Sequence, residues 1–176
     1  YSNGPRSSPL IDENFIYAHG VTSWLTCLNL KTGELKWKRD LAQEFEIPDY
    51  FFGKGSNPII FEKFLILNVG GSNERCVVAF NKETGKTEWI CRDSWGASYS
   101  SPTITSIHGR KVCLVLTGGE SRPPSGGLLT IDPHNGEKLS RFSWRASSYE
   151  SANAVPPIPC GKNQVFLSEC YEKGGV

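Results

Sequence analysis

Two stretches of the chain carry the side chains with the most binding chemistry. "RDSWGASYSSP" and, farther on, "RFSWRASSYESANAVPP" place Arg92, Trp95 and Tyr99 in correspondence with Arg141, Trp144 and Tyr149. These residue types are enriched at interface hot spots because a planar group buries a large area while keeping a directional donor. Together with Arg145, Glu150 and Asn153 of the second stretch, they form a candidate face for a ligand or partner. A plainer reading has Trp95 and Trp144 filling gaps between structural units, with the arginines capping backbone carbonyls. Both readings stay open at this level.

Catalytic and metal chemistry find less support. His19, His108 and His134 lack metal-ligand spacing and are expected as solvent-facing turn residues of separate units. The glycine clusters "GGSNERC" and "GGESRPPSGG" neither lead into a helix nor carry the G-K-[ST] that would hold a nucleotide, so they are expected as loops between strands. Ser100 and Ser101 fit no nucleophile turn. Acidic residues are scattered through turns such as "LIDEN" and "NKETG", without the clustering that calcium demands. No catalytic, cofactor-binding or metal residue is therefore assigned. Six cysteines form no C-x-x-C pair, and "TCLNL" and "VCLVL" set the thiol among apolar strand positions. Buried, unpaired cysteines are the expectation, with one or two bridges as the alternative in an oxidising compartment.

The elements that must position these residues form a repeat. "CLNLKTGELKW", "AFNKETGKTEW" and "TIDPHNGEKLS" share an Asn or Asp four residues before a glycine, and Gly33, Gly85 and Gly136 are 52 and 51 residues apart. Asn29, Asn81 and Asp132 can each accept a backbone hydrogen bond that nucleates a turn, and the glycine supplies the positive φ that closes it. A second marker runs in step. Pro9, Pro58, Pro102 and Pro156 each open a short apolar run followed by a turn and a second run ending in glycine. Each unit reads as four short antiparallel strands, with proline tolerated where no ladder donor is needed. Four strands in about 50 residues is the signature of a propeller blade. The predicted fold is all-β, a β-propeller of which about 3.5 blades are present, with approximate bounds 8–50, 56–97, 100–147 and an incomplete 153–176 inside one domain spanning 1–176. Ser7, Ser8, Ser56, Asn57, Ser100 and Ser101 begin the innermost strands, where crowding alone accounts for small side chains.

Composition limits the function. A formal charge of +1, from 19 basic and 18 acidic residues, leaves no electrostatic footprint for nucleic acid. The longest apolar runs, such as "FLILNV", are strand-sized, so no membrane insertion is expected from them. The sequence starts at Tyr1 and has no Met, as expected of a processed form or a segment of something longer.

The motif Ala, any, Asp/Asn, two variable residues, Thr, Gly, three variable residues, Trp resembles the tryptophan-docking repeat of the PQQ-like β-propellers, the quinoprotein alcohol dehydrogenase-like superfamily. "AFNKETGKTEW" matches best; "CLNLKTGELKW" has Cys27 in the Ala place; "TIDPHNGEKLS" has Thr130, Asn135 and Ser140 at the Ala, Thr and Trp places. The resemblance implies that Trp37 and Trp89 dock each blade on its neighbour, with Cys27, Gly33, Ala79, Gly85 and Gly136 completing the docking motif. "GPRSSPLID", "FFGKGSNPII" and "ECYEKGG" are similar to planctomycete-type PQQ-like repeat proteins and to the outer-membrane assembly lipoprotein propeller. Such propellers have eight blades, which at about 50 residues each need on the order of 400 residues. The rest of the same propeller would then be needed to close the ring.

Resembling enzymes hold pyrroloquinoline quinone over calcium, usually beside a vicinal Cys-Cys disulfide, and this chain has no "CC". The expectation is a non-catalytic binding or scaffold propeller for a protein or polymeric ligand, without a cofactor and, by resemblance, periplasmic or otherwise extracytoplasmic. The alternative is a quinoprotein-type dehydrogenase, acting on an alcohol or sugar, whose PQQ and calcium ligands lie outside this segment.

Overall fold

β-Branched and aromatic runs broken by Asn, Asp and Gly fold as hairpins, and here successive hairpins pair into sheets. A computed structural model describes residues 6–149 and 151–176. The first sheet pairs β1 (Leu10–Asp12), β2 (Phe15–His19), β3 (Trp24–Asn29) and β4 (Leu35–Asp40) in chain order. A short helix, α1 (Leu41–Phe45), leads out of it. The second sheet pairs β5 (Ile59–Phe61), β6 (Phe64–Asn68), β7 (Arg75–Asn81) and β8 (Thr87–Arg92) in the same order. The third pairs β9 (Thr103–Ile107), β10 (Arg110–Thr117), β11 (Gly127–Ile131) and β12 (Lys138–Ser143). All ladders are antiparallel. A fourth unit begins with the pairs β13 (Ile158–Cys160) with β14 (Gln164–Phe166) and β15 (Ser168–Glu169) with β16 (Gly174–Gly175). The predicted all-β architecture of four-stranded antiparallel sheets is what the structure has.

The turn chemistry is the predicted one. Asn29 Oδ1 accepts from the Lys31 and Thr32 amides at 2.9 and 3.0 Å, Asn81 Oδ1 from Glu83 and Thr84 at 3.0 and 3.1 Å, and Asp132 Oδ1 from His134 at 2.9 Å. Gly33, Gly85 and Gly136 take φ of 72°, 71° and 78°. Each sheet also shifts register at the same place, between Cys27 and Leu28, Ala79 and Phe80, and Thr130 and Ile131.

The core lies between sheets. Alternating side chains of β6 face opposite ways. Leu65 and Leu67 pack with Tyr17, Leu25 and Cys27 of the first sheet and Leu41 and Phe45 of α1. Phe64 and Ile66 pack with Cys113, Val115 and Leu129 of the third. Covered on both faces, β6 is buried at all five positions. The turn end adds a contact from one sheet to the next. A Cβ placed on Gly85 would sit 2.8 Å from the Trp37 ring, and one on Gly136 would sit 2.5 Å from the Trp89 ring. Opposite each indole on the neighbouring strand stands a small residue, Cys27 beside Trp37 and Ala79 beside Trp89. Trp37 Nε1 donates to the Lys82 carbonyl at 3.0 Å, whereas the buried Trp89 Nε1 has no hydrogen-bond partner.

Several expectations need correction. His19 is buried in β2, where its Nδ1–H donates to the Ser56 carbonyl at 3.0 Å, so it is not a solvent-facing turn residue. His108 and His134 are surface residues as expected but share the third sheet's turns. Cys27, Cys76, Cys91 and Cys113 are buried and unpaired; Cys160 is half-buried and Cys170 exposed. The small residues before the prolines do more than avoid crowding. The Ser8 amide donates to Asn57 Oδ1 at 2.8 Å and the Asn57 amide to Ser101 Oγ at 2.9 Å, which ties the starts of successive inner strands together. Helix α1 was not anticipated; Asp40 caps it by accepting from the Gln43 amide at 3.2 Å.

Candidate functional site

Because the strands run up and down, the β3–β4, β7–β8 and β11–β12 turns lie at one end of the sheets and the connectors between sheets at the other. The connectors, 46–58, 93–102 and 144–157, meet there with the β10–β11 loop and the loop before β16. Together they enclose a cleft of about 310 Å³ walled by Phe51, Phe52, Tyr99, Tyr149 and Tyr171, with Glu120 among them. Phe51 and Phe52 stand at 89° with centroids 4.9 Å apart, and Phe52 and Tyr99 at 74° and 6.0 Å. Tyr99 donates its hydroxyl to Glu120 Oε1, and the Phe51 amide donates to Oε2 at 2.7 Å. Burial, and then the adjacent carboxylate, push the Tyr99 hydroxyl well above its ordinary pKa. Arg122 lies 3.9 Å from the Tyr149 ring and Arg6 5.7 Å from the Phe52 ring.

Beside the cleft lies a buried polar group in which Arg145 Nε and Asn153 Oδ1 have no hydrogen-bond partner. Arg145 pairs with Glu169, whose side chains are almost fully buried, and donates from Nη2 to the Ser151 carbonyl at 2.7 Å and the Gly119 carbonyl at 3.1 Å. Glu169 also accepts from Ser151 Oγ at 2.6 Å and the Ala146 amide at 3.0 Å. Asn153, fully buried, donates to the Thr117 carbonyl at 3.0 Å. These groups join the third connector to the fourth unit.

The sequence-predicted residues thus separate. Tyr99 and Tyr149 share the cleft, while Arg145 holds the backbone of its lining residue Ser151 and Asn153 that of Thr117. Trp95 is buried with the second and third sheets, under the Arg141 guanidinium at 3.6 Å. Arg141 and Lys138 reach Asp93 Oδ2 at 3.0 and 2.7 Å, and Arg92 donates to the Asn73 carbonyl at 2.8 Å. Trp144 packs on the third sheet's core. Glu150 lies outside the described residues. The corresponding triplets therefore serve different surroundings despite their matched sequences.

Phe51, Phe52, Glu120 and Tyr171 were missed by sequence reasoning. The "FF" doublet in a long connector was the available signal, since adjacent aromatics there cannot both face one sheet. A second cavity of about 360 Å³ nearby is lined by Tyr50 and Lys54, the lysine ammonium lying 3.5 Å from the Tyr50 ring and donating to the Pro48 carbonyl at 2.7 Å. Burial lowers the Lys54 pKa to about 8. Among the described residues no three His, Cys, Asp or Glu side chains stand where they could hold a metal ion together. The donors of the described residues do not converge as a calcium-held quinone requires. No described helix is long and apolar enough to cross a membrane.

Comparison with known structures gives the fold its context. The quinohemoprotein alcohol dehydrogenase ADHIIG from Pseudomonas putida HK5 superposes with a TM-score of 0.59 at 19% identity, covering 81% of this chain and 21% of that one. The enzyme from Comamonas testosteroni gives 0.59 at 16% identity with the same coverage. BamB from Moraxella catarrhalis gives 0.57 at 17% identity, covering 96% of this chain and 41% of its own. The chain thus spans only about a fifth to two fifths of the structures it matches. No curated protein matches it. A family model described as "Outer membrane protein assembly factor BamB" matches residues 2–170. The repeat, the four-stranded sheets and that match agree: the chain belongs to this family of PQQ-like β-propellers.

Proposed function

We propose that the chain is part of a non-catalytic propeller whose connector face binds a protein or polymeric ligand, outside the cytoplasm. The aromatic cleft carries the reading. Its walls come from separate connectors and loops, while Glu120, the one carboxylate among its described lining residues, is engaged by a tyrosine hydroxyl and a backbone amide, an arrangement suited to contact rather than proton transfer. The family description as an outer membrane assembly factor supports a protein partner and an extracytoplasmic site. In the same reading Trp37 and Trp89 dock each blade on the next, through Gly85 and Gly136.

The test is to titrate the full-length protein with pyrroloquinoline quinone and calcium, following cofactor absorbance that comigrates with protein and any rise in melting temperature. The expected result is no saturable binding by folded protein. Calcium-dependent saturation would replace this reading with a quinoprotein dehydrogenase whose ligands lie elsewhere in the ring. Cell fractionation checks the compartment, and recovery with cytosolic markers would remove that part of the proposal.

A further inference from the structure

We infer that the cavity beside α1 is a covalent capture site, in which the Lys54 amine condenses with a short hydroxylated aldehyde to form a Schiff base. The site stands apart from the aromatic cleft and does not depend on what the cleft binds. The cavity, about 360 Å³, lies between the β2–β3 turn, α1 and the first connector, with Val21, Ser23, Ala42, Ile47, Asp49 and Lys54 in its lining. Gly53 and Lys54 are pinned to that turn. The Lys54 amide donates to the Val21 carbonyl at 3.0 Å, and a Cβ on Gly53 would collide with the Val21 side chain. The lysine is therefore fixed, at 8% exposure, on the wall of a space large enough for a small molecule.

Hydrogen bonding distinguishes the states of its nitrogen. An ammonium has three N–H donors. Among the described residues Lys54 Nζ meets one acceptor, the Pro48 carbonyl at 2.7 Å, and one ring face, Tyr50 at 3.5 Å. A protonated Schiff base has a single N–H and a positive charge, so one carbonyl and one ring face are its full complement. The free amine suits the reaction as well. Burial lowers the Lys54 pKa to about 8 against the pull of the Asp49 and Glu120 carboxylates. Near neutral pH a share of the molecules then holds a nucleophilic lone pair, while one N–H still donates to Pro48.

Ser23 gives the cavity its second polar group. It is 2% exposed and lines the cavity, and its hydroxyl has no hydrogen-bond partner among the described residues. A buried hydroxyl left open is costly, and an oxygen of a hydroxylated aldehyde satisfies it. In the reaction the Nζ lone pair bonds to the carbonyl carbon, and one nitrogen proton passes to the oxygen. The C–O bond of this carbinolamine then breaks, the oxygen leaves as water with the second nitrogen proton, and the imine takes up a proton from solvent. No oxidant or further reactant enters. Each event captures one aldehyde without turnover, in keeping with a non-catalytic propeller.

The test is to incubate the full-length protein at pH 7 with glyceraldehyde and cyanoborohydride, which reduces a Schiff base to a stable amine, and to follow each lysine by peptide mass spectrometry. A fall in pKa from 10.5 to about 8 raises the neutral fraction roughly a hundredfold, so Lys54 should be labelled at least about tenfold faster than the exposed Lys31 and Lys86. Its rate should saturate with glyceraldehyde, and Ser23→Ala should lower it several-fold while the Lys31 rate and the melting temperature stay unchanged. Labelling of Lys54 no faster than Lys31 would overturn the proposal. A Lys54 rate that rises linearly to tens of millimolar would also overturn it, by showing a reactive amine without a site for the aldehyde. Propanal reacting as fast as glyceraldehyde, with Ser23→Ala lacking effect, would overturn the hydroxylated class. Lys54→Met should abolish the fast label alone; if that variant misfolds, the site-resolved rates of the unaltered protein decide.

Discussion

The two ends of the sheets are built on opposite rules. At the turn end, three hairpins repeat one local solution: an Asx acceptor, a glycine at positive φ and, in two of them, an indole lying on the next sheet's glycine. At the connector end only the tie from Ser8 to Asn57 to Ser101 recurs, and the rest of each connector differs. The first connector begins with a helix and carries two phenylalanines, the second carries Tyr99, and the third closes over a buried Arg145–Glu169 pair. Repetition thus marks the shared turn geometry, and departure from it gives the connector end its aromatic cleft and its buried ion pair.

Substitutions sharpen that contrast. The largest effect should come from the connector end, where Arg145→Leu leaves Glu169 buried without its partner and costs about 3–5 kcal/mol in denaturant unfolding of the full-length protein. A loss under about 1 kcal/mol would mean that the pair is not an anchor. At the turn end, Gly136→Ala should cost about 3 kcal/mol, because a left-handed backbone and a collision with the Trp89 ring combine. Gly33→Ala shares the backbone term but has open space, so about 1 kcal/mol is expected. Equal costs would show that the indole contact contributes nothing.

A pH effect of on the order of 3 kcal/mol should come from His19, whose pKa burial lowers from 6.5 to about 4. Above pH 6.5 the imidazole is neutral in both states. Below it the unfolded chain takes up a proton that the folded one refuses until about pH 4, so stability present above 6.5 is lost as pH falls through that window. His19→Gln should flatten the dependence between pH 6.5 and 4; an unchanged slope would assign it to other groups. The smallest difference separates the two indoles. Trp37→Phe removes the bond to Lys82 and should cost about 1 kcal/mol more than Trp89→Phe, which removes a buried N–H that has no partner.

What the sequence revealed follows the same division. The turns were legible because Asn29, Asn81 and Asp132 act on backbone two or three residues away, so their chemistry is written locally. The cleft was not, because Phe51 meets Glu120 across 69 residues and Tyr171 arrives from the fourth unit, a proximity set by how the sheets stack. Matching Trp95 with Trp144 by position gave their common origin in the repeat but not their roles: one lies under Arg141 between two sheets, the other on the third sheet's core. Helix α1 had a local signal that went unread, an Asp with Gln three residues on ahead of buried Leu41 and Phe45. His19 looked like a turn residue because it follows the strand "FIYA"; its hydrogen-bond partner, the Ser56 carbonyl, lies 37 residues away.

The indole-on-glycine contact has a direction. The first sheet offers a ring to the second and the second a ring to the third, each met by a glycine, so the joined surfaces differ, as in a head-to-tail polymer. Such a surface can add units without limit unless the rotation from one to the next brings the last back to the first. Trp37 on Gly85 and Trp89 on Gly136 give each of these two contacts a ring side and a glycine side. How many of them make a complete turn is then a matter of angle, and a sheet such as the third, with Ser140 where the ring would stand, breaks the series without changing the count.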